Sequence, residues 1–414
     1  MSLQSVRGTH DLLPEAQAKH NLITHSAREI AQRFGFQEMS TPIFEFSDVF
    51  KRTLGEASDI VNKEMYTFQD RNGEELTLRP EGTAGVARSF ISEGLSQRTP
   101  FKVFYQGPMF RYERPQKGRQ RQFNQCGVEL LGAASPFADV ECLTLAYQFL
   151  KSIQVADLSQ LEINSIGDEE SRKNYIEGLV QFLKTKESAL SADSQRRLAT
   201  NPLRILDSKD PKDHEILKSA PLIADFYNEK SKHFFETVTS ALKDFGIPFE
   251  VNPFLVRGLD YYTHCVFEFK TTHLGAQDAI LSGGRYDQLI KTMGGPDTPG
   301  VGWAAGIERL AMLSPMEPPK AQAIALIPIH DSVESDAFKM AYRLRDQGFY
   351  CEVGFSGNLS KRMKKAASMG CWSAILIGPD ELARGEVMVK NMTSGEQKAV
   401  LIAKLENELR TLLA

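Results

Sequence analysis

A short, strongly basic segment of the sequence has the residue types that bind phosphate. From Arg111 to Arg121 there are five cations and one acid, a local charge of +4, and Phe110, Tyr112 and Phe123 are interspersed or adjacent. Planar guanidinium groups suit phosphate oxygens, and an aromatic face can stack on a purine. The segment therefore indicates a site for a nucleotide or for RNA, with a solvated basic turn as the alternative.

Other familiar phosphate and metal patterns are not matched. The nearest approach to a P-loop, at 178–185, lacks its second glycine, and the glycines at 300, 302 and 306 do not have the spacing of a dinucleotide fingerprint. The histidines and cysteines show no zinc-binding spacing. The sequence thus predicts no metal-binding residue and no bound prosthetic group.

The elements that must position the basic segment are short strands. Strand-like runs at 102–105 and 125–131 flank it, and Pro115 and Gly118 exclude regular strand between them, which predicts a hairpin with a long basic loop. Similar runs at 36–39, 76–78, 256–262 and 266–270 predict a largely antiparallel sheet. Periodic apolar residues from Pro14 to Phe34 predict a helix that packs on one face.

Changes of pattern along the chain predict several modules. Residues 1–166 and 246–313 form one sheet domain in two parts, interrupted by a helical insertion at 167–245. Three prolines at 314–320 indicate a linker. From 321 to 414 strands and helices alternate, and the βαβαβ pattern at 324–377 predicts a parallel sheet.

Three segments resemble the signature motifs of the class II aminoacyl-tRNA synthetases. Phe-Arg-Tyr-Glu at 110–113, the basic loop and Arg-Gln-Phe at 121–123 resemble motif 2. The segment 34–42, which begins Phe-Gly-Phe, is similar to motif 1, and 302–310, with Gly-Ile-Glu-Arg at 306–309, is similar to motif 3.

Two further runs resemble the signatures of one family within that class, the histidyl-tRNA synthetases. They are Leu-Val-Arg-Gly-Leu-Asp-Tyr-Tyr at 255–262 and Ser-Gly-Gly-Arg-Tyr-Asp at 282–287. Supporting matches lie at 7–11 (Arg-Gly-Thr-His-Asp), 79–83 (Arg-Pro-Glu-Gly-Thr) and 201–207 (Asn-Pro-Leu-Arg-Ile-Leu-Asp), so the resemblance spans nearly the whole chain.

This resemblance implies a fold and a reaction. The fold is an α+β catalytic domain with an antiparallel sheet and a helical insertion, followed by a C-terminal α/β domain that binds the anticodon. The reaction is histidine–tRNA ligation: ATP, accompanied by Mg²⁺, activates L-histidine to histidyl-adenylate, and histidine then passes to the 3′ end of histidine tRNA. The class also implies a homodimer, with the motif 1 helix and strand at the interface.

The resemblance also implies roles for individual residues. Arg257 and Arg111 would be catalytic, both at the α-phosphate. ATP contacts are implied for Arg111, Glu113, Arg119, Phe123 and Arg309. Histidine contacts are implied for Glu81, Thr83, Gln125, Glu129, Tyr261 and Tyr262. A half-exposed strand acid is the alternative for Glu129, and a strand-end arginine paired with Asp260 is the alternative for Arg257.

Two sets of residues are implied to bind tRNA. In the basic loop, whose Arg-Pro-Gln at 114–116 resembles the bacterial form of the family, they are Arg114, Gln116, Lys117 and Arg121. In the C-terminal domain, Lys361, Lys364 and Lys365 lie on one face of the helix predicted from Asn358, with Arg362 near its edge; a solvated helical face is the alternative. Gln120 and Asn124 depart from the tyrosine and histidine of many relatives.

Two other functions compete with this interpretation. One is a non-catalytic, histidine-sensing regulatory subunit of ATP phosphoribosyltransferase, a class of paralogue that usually lacks the C-terminal domain and loses catalytic arginines. The other is a class II synthetase for a different amino acid. Arg111, Arg257 and Arg309, together with residues 321–414, favour the ligase.

Composition limits where the protein acts and how it can bind RNA. The net charge of −4 offers no global attraction to a polyanion, so RNA must meet a local patch. The five cysteines contain no C-x-x-C pair, and no apolar run is long enough for a membrane span or marks a signal peptide. The sequence predicts a cytoplasmic protein without a membrane partner.

Overall fold

The computed structural model describes residues 3–55, 60–256, 261–275, 279–319 and 322–413. The chain divides into two compact units, Met1–Glu317 and Pro318–Ala414. None of the helices described is long and apolar enough to cross a lipid bilayer.

The first unit is built on one large sheet, a small sheet and helices. Its described strands are β1 (Gln37–Glu38), β2 (Phe44–Phe46), β3 (Tyr66–Gln69), β4 (Glu75–Leu78), β5 (Phe101–Phe110), β6 (Gln122–Leu131), β7 (Gln160–Ser165), β8 (Glu250–Val251), β9 (Thr263–Lys270), β10 (Ala279–Arg285) and β11 (Gly300–Gly306). Its α-helices are α1 (Pro14–Arg33), α2 (Ser47–Leu54), α3 (Thr83–Ser92), α4 (Pro136–Ser152), α5 (Glu169–Lys184), α6 (Ala192–Thr200), α7 (Pro211–Leu217), α8 (Glu229–Asp244), α9 (Leu289–Thr292) and α10 (Ile307–Leu313).

The large sheet has the strand order β1-β5-β6-β11-β10-β9-β7-β8. Its five inner pairs are antiparallel, and only the outermost pairs, β1 with β5 and β7 with β8, are parallel. The prediction of a largely antiparallel sheet is confirmed. The basic segment is the loop of the β5–β6 hairpin, as predicted.

Two strand predictions were wrong in detail. The run at 76–78 forms β4, which belongs to the separate sheet β2-β4-β3. At 256–262, the described residues Val256, Tyr261 and Tyr262 are not in a strand, and β9 begins only at Thr263. Because Leu255 and Val256 are both buried, a loop packed into the core produces the apolar run that imitates a strand.

The two faces of the large sheet support two hydrophobic cores. Alternate residues of β5 point to opposite faces, so Phe104 packs in the core with α1, α4 and α8, whereas Val103 and Tyr105 pack with α3. Helices α5 and α6 join the second core. Helix α8, although inside the predicted insertion, contributes Phe234 and Val238 to the first core. The predicted domain boundaries stay a prediction.

The second unit contains β12 (Ala323–Pro328), α11 (Glu334–Asp346), β13 (Tyr350–Val353), α12 (Leu359–Ser368), β14 (Ser373–Ile377), α13 (Pro379–Ala383), β15 (Glu386–Asn391), β16 (Gln397–Leu401) and α14 (Leu405–Leu413). Its sheet has the order β13-β12-β14-β15-β16. The three strands of the predicted βαβαβ pattern are parallel. Antiparallel β15 and β16 extend the sheet beyond that pattern.

Candidate active site

A cavity of about 250 Å³ lies among the ends of β6, β10 and β11 and the basic loop of the first unit. The predicted site residues on its wall are Glu81, Thr83, Arg111, Glu113, Arg119, Phe123, Gln125, Tyr261, Tyr262 and Arg309. These residues come from six separate parts of the chain, so the fold brings together every described residue predicted to bind ATP or histidine except Glu129. Arg257 and Asp260 lie outside the described residues.

The alternation of β6 explains how one strand supplies several of these groups. Phe123, Gln125 and Glu129 are separated by even numbers of residues and therefore point to the same side of the sheet. In the paired strand β11, Gly306 lies opposite Gln125 and Gly302 lies opposite Glu129. Small residues facing the long polar side chains leave the space that the cavity occupies.

The position of Glu129 depends on one of these glycines. A β-carbon built on Gly302 would lie 1.9 Å from Oε2 of Glu129 and 2.3 Å from the carbonyl oxygen of Val128. No side chain fits there without moving the carboxylate or the strand. Glycine is therefore required at position 302 because the Glu129 carboxylate and the neighbouring strand lie too close to its α-carbon for a side chain.

Two carboxylates form the acidic end of the cavity. Glu81 accepts hydrogen bonds from the backbone amides of Thr83 and Ala84, each at 2.7 Å, and so caps the beginning of α3. Glu129 lies directly behind the wall: its Oε1 accepts a hydrogen bond from the Thr83 hydroxyl at 2.6 Å, and its Oε2 accepts one from the Tyr286 hydroxyl. The alternative of a half-exposed strand acid is wrong, because Glu129 is 1% exposed.

Burial changes the protonation of this acidic end. Loss of solvation raises the pKa of Glu129 to about 8, although the hydroxyls of Thr83 and Tyr286 oppose the rise by hydrogen bonding to the carboxylate. Burial also raises the pKa of Glu81, against the stabilising effect of its two backbone hydrogen bonds. Burial therefore favours the protonated form of Glu129.

Arginines also line the cavity. The guanidinium carbon of Arg111 lies 5.3 Å from the centre of the Phe123 ring, and its Nε donates to the carbonyl of Pro80 at 2.9 Å. Arg119 forms an ion pair with Glu113 at 2.6 Å. These contacts fix a cation and an aromatic face on the same wall, an arrangement that suits a nucleotide.

Two residues of motif 3 connect α10 to the β5–β6 hairpin. Arg309, two residues inside α10, donates from Nε to the carbonyl of Gly118 at 3.0 Å and from Nη1 to the carbonyl of Ala279. Its neighbour Glu308 accepts two hydrogen bonds from Asn124, from the backbone amide at 2.8 Å and from Nδ2 at 3.0 Å. Asn124, one of the two residues that depart from many relatives, therefore links motif 2 to motif 3. The other, Gln120, lies on the cavity wall.

The predicted tRNA residues of the basic loop lie outside this cavity. Arg114, Gln116 and Lys117 are exposed. Arg121 is different: its guanidinium carbon lies 3.9 Å from the centre of the exposed Tyr112 ring, and its backbone amide donates to the carbonyl of Gly8 at 2.7 Å. The N-terminal segment therefore supports the base of the loop.

In the second unit, Lys361, Lys364 and Lys365 are exposed on α12. Arg362 is buried instead: it forms an ion pair with Glu334 at 3.1 Å and donates to the carbonyl of Pro328.

An aromatic neighbour of this basic face was missed from the sequence. Phe355 is 77% exposed, lies 5.6 Å from the Phe338 ring and lines a small cavity together with Lys361 and Lys365. A single phenylalanine in a loop carries no periodic signal that would have revealed it.

Sequence reasoning also missed several residues of the first cavity. Tyr286, which bonds to Glu129 and lies 5.7 Å from the Tyr261 ring, is part of a recognised run, and that run was the signal that could have found it. Ser282, Glu268 and Trp303 complete the wall. Among the residues that the structure describes, no group of three or more His, Cys, Asp or Glu could hold a metal ion.

Comparison with known proteins assigns the family. The family described as histidyl-tRNA synthetase matches residues 8–310, and the anticodon binding domain family matches residues 323–412. A histidine–tRNA ligase of Rhodospirillum rubrum is 54% identical over 413 residues, covering 100% of both chains.

Solved structures agree with this assignment. The structure of the apo S. aureus histidyl-tRNA synthetase has a TM-score of 0.84 at 36% identity, covering 98% of this chain and 99% of that one. A structure titled as an ATP phosphoribosyltransferase regulatory subunit/histidyl-tRNA synthetase from Bacillus halodurans has a TM-score of 0.64 at 21% identity, covering 91% and 99%, and shares the fold. The predicted fold class is confirmed, and the chain belongs to the histidyl-tRNA synthetase family.

Proposed function

We propose that this chain is a histidine–tRNA ligase that activates histidine with ATP and transfers it to tRNA in the cavity of the first unit. The observation that carries the proposal is that one cavity brings together the acids Glu81 and Glu129 with Arg111 beside the Phe123 ring. Histidine, with its imidazole ring, requires the acidic groups. The nucleotide requires the cation and the aromatic face beside them.

The first step joins two anions. A carboxylate oxygen of histidine attacks the α-phosphorus of ATP, the bond from that phosphorus to the bridging oxygen breaks, and pyrophosphate leaves. Arg111 would neutralise the α-phosphate while Phe123 stacks on adenine, and Arg119 and Arg309 would meet the remaining phosphates. Because Arg309 and Arg119 are already held by protein groups, they need little reordering when ATP binds.

The second step forms an ester. A hydroxyl of the terminal ribose of tRNA attacks the histidyl carbonyl carbon, the carbonyl carbon–oxygen bond to AMP breaks, and the hydroxyl loses its proton. The protein groups around the cavity have only to hold the two reacting atoms together, since the adenylate supplies a good leaving group.

Histidine recognition would rest on the acidic end. Glu129 would accept a hydrogen bond from the imidazole ring, with Tyr262 beside the ring and Tyr261 in contact with Tyr262 at 4.7 Å between ring centres. Glu81, Thr83 and Gln125 would surround the ammonium and carboxylate, and the buried Oε1 of Gln125 has no hydrogen-bond partner among the residues that the structure describes. A site with such unpaired buried groups rejects amino acids that cannot satisfy them.

Magnesium would enter with ATP. Since the described residues contain no ready-made metal cluster, the phosphates would supply most of its ligands, and its charge would offset theirs. The family's distinctive arginine, Arg257, would add a fixed cation at the α-phosphate.

The two tRNA surfaces remain as predicted from the sequence. Arg114, Gln116, Lys117 and Arg121 would meet the acceptor end, and Lys361, Lys364 and Lys365 the anticodon. Exposure of Phe355 beside those lysines supports an RNA surface, because an aromatic face next to cations suits unpaired bases.

We infer that the protein is a homodimer and that it acts in the cytoplasm. Phe44, Phe46 and Phe68 on the small sheet are 48%, 57% and 45% exposed. Three exposed phenylalanines on the two outer strands of one small sheet suit a second copy of the chain better than solvent. Light scattering should give the mass of two chains, and the mass of one would contradict the dimer.

The regulatory subunit is the less favoured alternative. This chain keeps Arg111 and Arg309 in the cavity and matches the anticodon-binding family over its second unit. A protein that only senses histidine would need neither.

The decisive experiment is amino-acid-dependent exchange of pyrophosphate into ATP, with histidine and a panel of other amino acids. We expect exchange with histidine alone. The exchange rate of the Arg111→Ala variant should be at least about 100-fold lower than that of the wild type, the loss expected when one charge-stabilising group is removed from a preorganised site. Folded wild-type protein that shows no exchange with histidine would refute the proposed function.

Arg257→Ala separates catalysis from RNA binding. We expect it to lose adenylate formation while tRNA affinity, measured by filter binding, is unchanged. Equal loss of both would indicate a structural arginine.

A further inference from the structure

Arg285 is a charged residue with 0% of its surface exposed, and no step of the proposed reaction uses it. It ends β10 and immediately precedes Tyr286, whose hydroxyl donates to Glu129. Tyr286 is 1% exposed and lies on the wall of the cavity, whereas Arg285 is not among the described residues that line it. The arginine is thus one residue away from a group that holds the carboxyl proposed to read histidine.

Every N–H group of the Arg285 guanidinium has an acceptor. Nε and Nη2 donate to Asp139 at 2.9 and 2.5 Å, and Nη1 donates to Asp287 at 2.9 Å. The remaining N–H groups of Nη1 and Nη2 donate to the carbonyls of Ala133 and Ser135, each at 3.1 Å. The buried charge therefore uses all of its hydrogen-bonding capacity.

These acceptors tie together two strands of the large sheet. Strand β6, which carries Glu129, leads directly into the segment that holds the two carbonyls, and Asp139 lies in the first turn of the helix that follows, α4. Arg285 is the last residue of β10. The guanidinium therefore links the strand end before Tyr286 to the segment just beyond the strand of Glu129.

Strand pairing alone does not set the direction of the Tyr286 ring. The register between β9 and β10 shifts between Gly284 and Arg285, and Tyr286 lies beyond the end of β10. The Tyr286 amide donates to the carbonyl of Gly300 at 2.7 Å, which fixes its backbone. The guanidinium carbon of Arg285 lies 5.1 Å from the centre of the Phe234 ring, in the first core, whereas Tyr286 packs in the second. Holding Arg285 on one face of the sheet directs Tyr286 to the other.

The cost of burying this ion pair favours a role in positioning. Replacing a buried ion pair by apolar side chains of similar volume is often neutral or stabilising, so stability alone does not explain why Arg285 and Asp139 are buried together. A planar fork held by five hydrogen bonds fixes a geometry that a lysine or an apolar side chain does not reproduce.

We propose that Arg285 is a positioning residue for histidine. By joining the end of β10 to the segment after β6, it holds the Tyr286 hydroxyl against Glu129 and so orients the carboxyl group that reads the imidazole. This inference rests on the proposed function, to which it adds a specificity-determining residue outside the described lining of the cavity.

Arg285→Lys tests the proposal in full-length protein. Lysine keeps the buried charge but has three N–H donors in place of five. In exchange of pyrophosphate into ATP, the KM for histidine should rise about tenfold, as when one hydrogen bond to a carboxyl group is displaced. The KM for ATP and kcat should stay within about twofold of the wild type, because the network contains no residue proposed to bind ATP. An equal rise of both KM values would indicate general distortion and overturn the proposal.

Val238→Ala is the control for lost stability. Val238 is fully buried in the first core, on the same helix as Phe234, and lies outside the described lining of the cavity. The variant should lower the unfolding free energy through the void that it creates and keep the wild-type KM for histidine. If it raises that KM as much as Arg285→Lys does, lost stability explains both results and the proposal is wrong.

A double-mutant cycle with Tyr286→Phe tests the route from Arg285 to Glu129. Tyr286→Phe removes the hydroxyl that donates to Glu129 and should by itself raise the KM for histidine about tenfold. If Arg285 acts through this hydroxyl, adding Arg285→Lys to Tyr286→Phe should give little further increase. Two effects that multiply would show a different route and overturn the proposal.

Asp287→Ala provides a second variant should Arg285→Lys fail to fold. It removes the acceptor of one N–H group at the more exposed end of the network, where the Asp287 side chain is 25% exposed. The KM for histidine should rise about threefold, and this rise should disappear in the Tyr286→Phe background. An unchanged KM in every variant that folds would refute the role of Arg285.

Failure of this inference is distinguishable from failure of the proposed function. If the wild type exchanges with histidine and the variants keep its KM for histidine, only Arg285 is wrongly assigned. If the folded wild type shows no exchange, the proposed function fails first.

Discussion

Replacing Glu129 by glutamine should stabilise the protein in alkaline solution. The carboxyl group is 1% exposed, and burial raises its pKa from 4.5 to about 8. An acid whose pKa is higher in the folded than in the unfolded protein holds its proton more tightly when folded. Folding stability is therefore lost as the pH rises from about 4.5 to about 8.

The size of the effect follows from the shift. Each pKa unit corresponds to about 1.4 kcal/mol, so the penalty is about 1 kcal/mol at pH 5 and about 5 kcal/mol at pH 9. A glutamine side chain occupies the same space and does not ionise. The unfolding free energy of Glu129→Gln, relative to wild type, should thus rise by about 4 kcal/mol between pH 5 and pH 9.

Denaturant unfolding at a series of pH values measures this difference. The second unit is identical in the wild type and in Glu129→Gln. Its contribution to the pH dependence therefore cancels when one unfolding free energy is subtracted from the other. Glu93→Gln, which changes an exposed acid at the end of α3, is the control and should follow the wild type at every pH. If the wild-type and Glu129→Gln curves run parallel from pH 5 to pH 9, the carboxyl is not protonated by burial and the reasoning is refuted.

Three further substitutions test other parts of the structure. Gly302→Ala should raise the KM for histidine in pyrophosphate exchange at least about tenfold, because the added carbon collides with the carboxylate of Glu129. Asp139→Asn should lower the unfolding free energy by up to about 3–5 kcal/mol in denaturant, since it removes the fully buried carboxylate 2.5 Å from the 0% exposed guanidinium of Arg285 and leaves that guanidinium paired with the more exposed Asp287. Phe355→Ala should weaken tRNA binding about fivefold in a filter assay and leave exchange unchanged.

Each of these has a matched comparison. A β-carbon on Gly306, in the same strand as Gly302, would have its nearest neighbour at 3.8 Å and would not meet Glu129, so Gly306→Ala should raise the KM for histidine less than Gly302→Ala does. Asp287→Asn, at the more exposed partner of Arg285, should cost less stability than the change at Asp139. Tyr350→Ala removes an exposed ring outside the cavity of Phe355 and should bind tRNA normally. Equal effects within any pair would contradict the corresponding reasoning.

The residues that meet in the cavity were implied by the resemblance of their motifs to the histidyl-tRNA synthetases, whereas local patterns predicted the elements that carry some of them. The hairpin around the basic loop follows from turn residues between two strand-like runs, and the even spacing from Phe123 to Glu129 follows from the alternation of a strand. These are short-range regularities. They required no knowledge of what packs against them.

What the sequence could not supply were pairings between distant segments. Nothing local shows that Tyr286 donates to Glu129, that Arg121 stacks on Tyr112, or that Arg362 is buried rather than at the edge of the basic face. The burial that shifts the pKa of Glu129 is likewise a property of the assembled core. The strand wrongly predicted at Val256, Tyr261 and Tyr262 has the same origin, since their burial depends on distant segments and follows no period.

The close contact at Gly302 has a consequence for antibacterial chemistry. An inhibitor that rests on this part of the cavity floor would touch backbone rather than a replaceable side chain. Any substitution at Gly302 that pushed the compound out would also push Glu129 from the position proposed to read histidine. Resistance at this spot would therefore weaken binding of the enzyme's own substrate, whereas a compound anchored on exposed side chains at the rim could be lost through substitutions that leave substrate binding intact.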